Sequence, residues 1–235
     1  NVYVVTYNAN GGNGAPTAAS QNFTFGGAAL VPSAKGTLTR TGYTFDGWST
    51  TPVASGTIYS NPNDTVAGTT TKTYTPSASI TFYAKWTAGT FAVTFDANGG
   101  TGTQITNMSI TAGTAKALTA NAFTRTGYTF AGWTTASNGT GTPYAAGATY
   151  TTNAGLTLYA KWTINTYTVT YDGNGESSGT APVDGISPYD YNSTVTVLGN
   201  SGTLAKTGYT FAGWNTVANG SGTSQADAST FTLGA

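Results

Sequence analysis

Thr41-Gly42-Tyr43-Thr44-Phe45-Asp46-Gly47-Trp48 decides the fold, because the chain contains this stretch three times. Thr-Gly-Tyr-Thr-Phe-Ala-Gly-Trp stands at 126–133 and again at 207–214. The spacing of about 80 residues exceeds the 20–50 residues of a tight solenoid repeat, so each copy is predicted to fold as a small domain. The alternation Tyr-Thr-Phe indicates a strand, and the flanking glycines indicate a turn and a close-packing point. We expect the modules to span 1–87, 88–163 and 164–235.

Each copy is predicted to open with a strand and a tight turn. In the first copy Val2-Tyr3-Val4-Val5-Thr6-Tyr7 precedes Asn8-Ala9-Asn10-Gly11-Gly12. The β-branched and aromatic residues favour a pleated strand, and Asn-Gly-Gly supplies residues that tolerate positive φ. Residues 91–100 and 167–175 repeat this pattern, with aromatic and apolar residues on one face of each strand.

A more variable middle follows each opening strand. Its short apolar patches predict a further strand with a loop or a single helical turn, because no window shows a sustained helical period. The first two copies then close with strands at Ile80–Trp86 and Leu156–Trp162, in which alternate residues share one face. A polar insertion in the first copy, around Asn61 to Thr73, is predicted to be a surface loop.

The third copy stops at Thr232-Leu233-Gly234-Ala235, where the other copies continue into the closing strand. A module without that strand exposes apolar surface and unpaired backbone groups. We therefore expect the strand to come either from a longer polypeptide or from another chain. The candidate strand-exchange segment in a second chain consists of Val2, Tyr3, Val4, Val5 and Tyr7.

The composition argues against catalysis and against nucleic-acid binding. Only 7% of residues are charged, eight basic and eight acidic, and the chain has no His and no Cys. Nucleophile–base pairs and zinc sites that use His or Cys are therefore excluded, and a basic patch for nucleic acid is missing. The longest apolar stretches are a few residues, too short to cross a membrane. We expect no enzyme activity, no cofactor, no metal, no nucleic-acid partner and no membrane insertion in this segment.

Three site interpretations compete with simpler ones. In Asp172–Glu176 side chains with oxygen atoms alternate with glycine, as in a calcium-binding loop. Asp and Asn also favour such turns when no metal is bound. Lys85 and Lys161 could form isopeptide crosslinks, or their stems could simply cover aromatic surface. The Trp and Tyr residues could stack on a glycan, but their recurrence at fixed repeat positions favours packing. The predicted structural core of the repeats consists of Tyr43, Phe45, Trp48, Trp86, Tyr128, Phe130, Trp133, Trp162, Tyr209, Phe211 and Trp214.

Three sequence blocks resemble the Listeria–Bacteroides repeat, also called the internalin B-repeat. They are Val-Thr-Phe-Asp-x-Asn-Gly-Gly at 93–100, the Thr-Gly-Tyr-Thr-Phe-x-Gly-Trp stretch in all three copies, and Leu-Tyr-Ala-Lys-Trp at 158–162. The resemblance covers nearly the whole chain. It implies small β-grasp-like modules strung in tandem in large secreted or wall-attached bacterial proteins, where they act as stalks, spacers and interaction segments. The chain departs from the pattern at the insertion of copy one, at Gly175-Glu176 and at the closing strand of copy three.

These observations predict a mainly β protein of tandem, small, β-grasp-like modules in an elongated array. Its expected role is a non-enzymatic stalk or spacer in a bacterial extracellular or cell-surface protein. One alternative is a subunit of a self-assembling filament joined by strand addition, and another is an adhesin or carbohydrate-binding module. The expected partners are neighbouring copies of the chain or other surface proteins, with a glycan as the alternative.

Overall fold

The computed structural model describes residues 1–53, 56–64, 72–103 and 105–234, and its secondary structure is entirely β. None of the described residues forms a helix long and apolar enough to span a membrane. The expectation of a mainly β protein is therefore confirmed.

The first repeat forms a four-stranded sheet with the order β2-β1-β4-β3. The two central strands, β1 and β4, are parallel, while β2 and β3 run antiparallel to their neighbours. Because β1 and β4 are the opening and closing strands of the repeat, both predicted strands are confirmed here. The bounds are β1 Val2–Asn8, β2 Ser20–Thr24, β3 Tyr43–Ser49 and β4 Ile80–Ala88.

The inward face of this sheet carries the core of the first repeat. Val5, Trp48, Phe82 and Ala84 are fully buried, and Phe45 is nearly so. Val5 in β1 and Phe82 in β4 lie between more exposed residues, as the period of a half-buried strand requires, whereas Gly47, Trp48 and Ser49 at the end of β3 are all buried. Because aromatic side chains are large, packing them side by side on neighbouring strands buries much apolar area in a small module.

A bulge in β3 explains the glycine before Trp48. The register between β3 and β4 shifts between Phe45 and Gly47, and Gly47 has a φ of +118°. A Cβ at Gly47 would lie 2.7 Å from the carbonyl oxygen of Tyr59, whose backbone forms two 2.8 Å hydrogen bonds with Trp48. The predicted close-packing point is thus confirmed, and Gly132 makes the equivalent approach to Tyr144.

The second repeat contains a five-stranded sheet with the order β6-β5-β11-β8-β9, and β7 pairs separately with β10. Its β11 and β8 repeat the bulged antiparallel register of β4 and β3. The bounds are β5 Thr90–Asp96, β6 Met108–Thr111, β7 Lys116–Ala117, β8 Tyr128–Thr134, β9 Pro143–Tyr144, β10 Thr149–Tyr150 and β11 Leu156–Ile164.

The third repeat forms only three two-stranded pairs, β12–β13, β14–β17 and β15–β16. The predicted opening strand is limited to Thr166–Tyr167, and residues 209–211, where the Tyr-Thr-Phe alternation predicts a strand, lie outside any strand, since the strand near this motif begins at Trp214. Both predictions were too long, because the equivalent strands of the first two repeats gain their ladders by pairing with a closing strand. The bounds are β12 Thr166–Tyr167, β13 Tyr189–Asp190, β14 Thr194–Thr196, β15 Trp214–Asn215, β16 Ser224–Gln225 and β17 Thr230–Thr232.

The chain divides into two compact units. Unit 1 comprises Asn1–Phe95, Thr106–Ala120 and Gly147–Leu158, and unit 2 comprises Asp96–Ile105, Asn121–Ala146 and Tyr159–Ala235. The predicted insertion around Asn61 to Thr73 lies partly outside the described residues. In its described part the Asp64 carboxylate accepts two hydrogen bonds from the backbone N–H of Lys35.

Candidate functional site

The link from the first repeat to the second is a single residue inside unit 1. Strand β4 ends at Ala88 and β5 begins at Thr90, so only Gly89 lies between them. The N–H of Gly89 donates to the carbonyl of Gly42 at 2.9 Å, and the carbonyl of Gly89 accepts from the N–H of Ala112 at 2.9 Å. One link residue is therefore held by both repeats.

The Thr-Gly-Tyr turn of the first repeat packs directly against the second. The Asn153 side chain accepts from the N–H of Gly113 at 2.8 Å and donates to the carbonyl of Thr41 at 3.4 Å. A Cβ on Gly42, whose φ is +84°, would lie 2.6 Å from the Cβ of Asn153. The glycine of the motif thus permits the backbones of two repeats to approach.

The second junction, inside unit 2, has the same backbone pattern. The link residue Asn165 donates to the carbonyl of Gly127 at 2.9 Å and accepts from the N–H of Tyr191 at 2.8 Å. A Cβ on Gly127 would overlap the Tyr191 ring. The side chains differ from those of the first junction, but the two backbone hydrogen bonds recur. The sequence analysis identified none of the residues of the following repeat that contact these links.

A cation lies over the motif tyrosine in each repeat. The guanidinium carbon of Arg40 is 4.0 Å from the ring centroid of Tyr43, and that of Arg125 is 3.9 Å from Tyr128. In the third repeat the ammonium of Lys206 is 5.3 Å from the ring of Tyr209. Cation–π contacts of this kind contribute about 0.5–1 kcal/mol at exposed sites, so they help to fix the shape of each turn.

An open groove of about 850 Å³ runs through the third repeat, inside unit 2. It lies between residues 169–174 and 209–216, the segments that correspond to β1 and β3 of the first repeat. In the first repeat β4 lies between those strands and pairs with both. We call this feature the repeat 3 groove; its lining includes Val169, Tyr171, Asn174, Phe211, Trp214 and Phe231.

The aromatic walls of the repeat 3 groove have the geometry found in the closed repeats. The ring centroids of Tyr171 and Trp214 are 4.8 Å apart, against 4.7 Å for Tyr7 and Trp48. Phe211 and Trp214 are 5.2 Å apart, against 5.3 Å for the equivalent pair in the first repeat. The groove is therefore formed without a strand inside it.

An asparagine at the end of the groove is also placed as in the closed repeats. Asn10 donates from its side-chain amide to the carbonyls of Pro52 and Ala84, and Asn98 donates in the same way to Ser137 and Ala160. Ala84 and Ala160 belong to the closing strands. Asn174 makes the first of these bonds, to the carbonyl of Ala218 at 2.7 Å.

The predicted core tryptophans differ in how deeply they are buried. Trp48 and Trp133 are buried, so a glycan could not reach them in the folded protein. Trp86 and Trp162 are half-buried and donate their indole N–H to the carbonyls of Ala9 and Ala97, each at 2.9 Å. Trp214 lines the repeat 3 groove.

The predicted aromatic partners of these tryptophans lie beside them. Phe45 contacts Trp48 and Trp86, and Phe130 contacts Trp133 and Trp162, with centroids 5.0 to 5.7 Å apart. In the third repeat Phe211 is 40% exposed and Tyr209 is 74% exposed. The Tyr and Phe rings of the motif are thus more exposed in the third repeat than in the first two.

The candidate exchange segment, residues 2–7, forms most of β1. This strand is paired with β2 on one side and with β4 on the other. Val5 is fully buried in the core, while Val2 and Val4 are exposed. Donation of this strand to another chain would therefore require the first repeat to open.

The acidic and lysine side chains considered above make ordinary contacts. The Asp172 carboxylate accepts from the N–H of Asn174 at 2.7 Å, as Asp96 does from Asn98. Lys85 is buried and donates to the backbone carbonyl of Val53, whereas Lys161 is exposed. Within the described ranges, acidic side chains do not cluster in the groups of three or more that would hold a metal.

A buried tyrosine–aspartate pair in the third repeat gives a pH-dependent prediction. The Tyr189 hydroxyl donates to Asp184 at 2.8 Å, and this hydrogen bond, with burial and the aspartate charge, raises the pKa of Tyr189 to about 12. The folded state therefore holds the phenol proton more tightly than the unfolded state, so the associated stability is present below about pH 10 and lost as the pH rises towards 12. Asp184→Asn should lower the pKa of Tyr189, measured by NMR titration of ¹³C-labelled tyrosine with Tyr189→Phe as the assignment control. An unchanged midpoint in Asp184→Asn would contradict the assigned cause.

Comparison with known proteins gives two relatives from Evansella cellulosilytica. The first, named "Putative membrane protein", is 32% identical over 163 residues, which are 69% of this chain and 23% of that protein. The second, named "Putative Gly-rich membrane protein", is 47% identical over 78 residues, 33% of this chain and 9% of that protein. The chain thus matches less than a quarter of either relative. No solved structure matches the chain.

The model of the Listeria-Bacteroides repeat domain matches residues 3–85, 91–161 and 167–235. These three matches follow the three copies of the Thr-Gly-Tyr-Thr-Phe-x-Gly-Trp stretch and cover nearly all of the chain. The chain therefore belongs to the Listeria-Bacteroides repeat domain family, of which it carries three tandem copies.

Proposed function

We propose that this chain is a non-enzymatic stalk or spacer segment of a bacterial extracellular or cell-surface protein. The observation that carries the proposal is the recurring junction, in which one link residue makes the same two backbone hydrogen bonds at Gly89 and at Asn165. The family membership and the relatives named as membrane proteins support a surface location.

The proposed mechanism is to keep neighbouring modules at a fixed angle to each other. A one-residue link between two paired strands leaves few free backbone torsions, and packing of the motif turn against the following repeat restricts those that remain. Tandem modules joined in this way resist bending at the junctions and hold a distal segment away from its anchor. We also propose that each complete module is β-grasp-like, because its first and last strands lie parallel at the centre of the sheet in the first repeat.

The stalk proposal predicts a narrow distance distribution across the first junction. The chain has no cysteine, so Ser20→Cys and Ala115→Cys, both exposed and both in unit 1, give two unique sites for spin labels. Insertion of Gly-Ser-Gly-Ser after Gly89 should broaden the distribution at least about twofold, because it adds free torsions to the link. Double electron–electron resonance measures both widths.

The matched control is the same insertion after Gly139, where an added Cβ would meet no atom within 4 Å. This insertion should leave the distribution unchanged. A distribution that is already broad without any insertion would overturn the stalk proposal, because it would show that the junction bends freely.

A self-assembling filament is the second candidate function, and the repeat 3 groove is the observation that favours it. Size-exclusion chromatography with light scattering tests it on the 235-residue chain, beside the same chain extended by Leu-Thr-Leu-Tyr-Ala-Lys-Trp. A filament subunit would oligomerise only in the shorter form. Two monomeric forms would exclude assembly through this groove.

A further inference from the structure

We propose that a cleft in the first repeat is a binding site for a uronic acid residue of an acidic polysaccharide. The cleft has a volume of about 390 Å³ and lies inside unit 1, between residues 35–41, β3 and the end of β4. The proposal concerns a binding site and does not depend on the stalk function. We call this feature the repeat 1 cleft; its lining includes Lys35, Leu38, Arg40, Tyr43, Phe45 and Trp86.

The repeat 1 cleft has an apolar floor and an aromatic wall. Leu38 and Phe45 are buried beneath it, and Trp86 is half-buried with its ring 5.5 Å from that of Phe45. The indole N–H of Trp86 already donates to the carbonyl of Ala9, so the ring offers a ligand its π surface. The face of an aromatic ring carries partial negative charge and attracts the C–H groups of a sugar ring.

Two half-buried cations, Lys35 and Arg40, also line the repeat 1 cleft. The described residues of its lining include no acidic side chain. The nearby Asp64 carboxylate accepts hydrogen bonds from the backbone N–H of Lys35, and Asp64 is not part of the lining. A carboxylate in the cleft would therefore meet positive charge that the lining itself does not neutralise.

The position of Arg40 suits it to hold a carboxylate. Its guanidinium lies over the ring of Tyr43, and one N–H donates to the carbonyl of Asn10 at 3.4 Å. The remaining N–H groups of such a planar fork match the two oxygens of a carboxylate. The exposed residues Thr39 and Thr41 add hydroxyl groups at the rim, which suit the hydroxyls of a sugar.

A uronic acid uses both parts of the repeat 1 cleft, because it joins a sugar ring to a carboxylate. A bare anion would pair with the cations and leave the aromatic wall without a partner. A neutral sugar would contact the wall and leave partly buried cations without a counter-charge, which is unfavourable. The volume of the cleft lies in the range of about 300–1,000 Å³ that is usual for small-molecule sites.

The residues that set the repeat 1 cleft apart are specific to the first repeat. At the position of Lys35 the second repeat has Ala120 and the third has Ser201. At the position of Leu38 the second repeat has Phe123, a larger side chain. We therefore expect the first repeat to bind the uronic acid and the second repeat not to bind it.

The test is titration of the ¹⁵N-labelled 235-residue chain with digalacturonate and dimannuronate, observed by NMR at the tryptophan indole N–H groups. Galactobiose and mannobiose are the neutral counterparts, and inorganic phosphate is the control for a bare anion. We expect one of the two uronates to shift the Trp86 signal and leave the Trp162 signal unchanged, with an affinity at least about tenfold above that of its neutral counterpart. The affinity should fall as the salt concentration rises.

Three outcomes of this titration would overturn the proposal. They are a Trp86 signal that neither uronate shifts, a neutral sugar that binds as tightly as its acid, and phosphate that binds as tightly as the uronate. The last outcome would identify an anion site without a sugar subsite.

Matched variants test the two cations. Arg40→Gln should lower the affinity for the uronate by about tenfold, whereas Arg125→Gln removes the equivalent guanidinium from the second repeat and should leave the affinity unchanged. Lys35→Ala introduces the residue of the second repeat, keeps the contact between Arg40 and Tyr43, and should also lower the affinity. Equal affinities in Arg40→Gln and Arg125→Gln would contradict the assigned role of Arg40.

Leu38→Phe tests the location of the ligand, because it gives the floor of the repeat 1 cleft the larger residue of the second repeat. Binding should be lost in this variant while the amides of β1 and β4 keep their exchange protection, which verifies that the first repeat is folded. An unchanged affinity in the folded variant would show that the uronate binds elsewhere and would overturn the proposal.

Discussion

Gly127→Ala is expected to destabilise the second junction by about 2–4 kcal/mol, whereas Gly208→Ala should cost only about 1–2 kcal/mol. Both glycines occupy the same position of the Thr-Gly-Tyr turn, with φ values of +76° and +81°. The backbone strain of an alanine is therefore the same at either site. Only at Gly127 does the new Cβ overlap another residue, the ring of Tyr191, while at Gly208 it would meet no atom within 4 Å.

Hydrogen exchange of the junction amides measures this difference. The N–H groups of Asn165 and Tyr191 form the two junction hydrogen bonds, so their protection should fall in Gly127→Ala and persist in Gly208→Ala. Equal loss of stability in the two variants would show that backbone strain alone is responsible and that packing at the junction is weak.

The strands of the first repeat could be predicted because their signal is local. Alternation of apolar and polar residues predicted which residues of β4 share a face, and the two tryptophans that recur at one repeat position, Trp48 and Trp133, are both buried. The glycine before each Trp was also interpretable, since a small residue in a strand commonly marks a bulge or a close backbone approach.

The same local signal predicted too much strand in the third repeat. Residues 167–171 have the composition of a strand, yet only Tyr167 belongs to one. A β-ladder is a property of two segments, so propensity in one of them is insufficient when no strand of the described chain lies beside it.

The junctions could not be predicted from the residues that form them. Asn153 and Ala112 contact the motif turn at the first junction, whereas Tyr191 does so at the second, so no residue type recurs there. What recurs is a pair of backbone hydrogen bonds, and these carry no side-chain signature. The glycine of the turn was the one sequence feature that pointed to a junction, because only a residue without Cβ permits the close approach of the two repeats.

Trp48→Ala is expected to destabilise the first repeat by about 3–5 kcal/mol, the usual cost of truncating a buried tryptophan. Trp48 has no exposed surface, its ring contacts Tyr7 and Phe45, and its indole N–H donates to the carbonyl of Ser33 at 2.8 Å. The substitution leaves a cavity in a small core and a buried carbonyl without its donor, and both effects lower the free energy of unfolding.

Trp214→Ala is the matched variant, because Trp214 holds the same position of the motif and donates in the same way to the carbonyl of Leu198 at 2.7 Å. Trp214 is half-buried and lines the open groove, so its truncation enlarges a space that solvent already reaches and should cost about half as much. Urea unfolding followed by far-ultraviolet circular dichroism, with hydrogen exchange to separate the repeats, measures both losses. If the two substitutions cost the same, the third repeat is as tightly packed in solution as the first, and the groove is closed there. A loss at Trp214 that grows to match Trp48 in the chain extended by Leu-Thr-Leu-Tyr-Ala-Lys-Trp would show that a closing strand completes the core, since burial by that strand is what makes the two tryptophans equivalent.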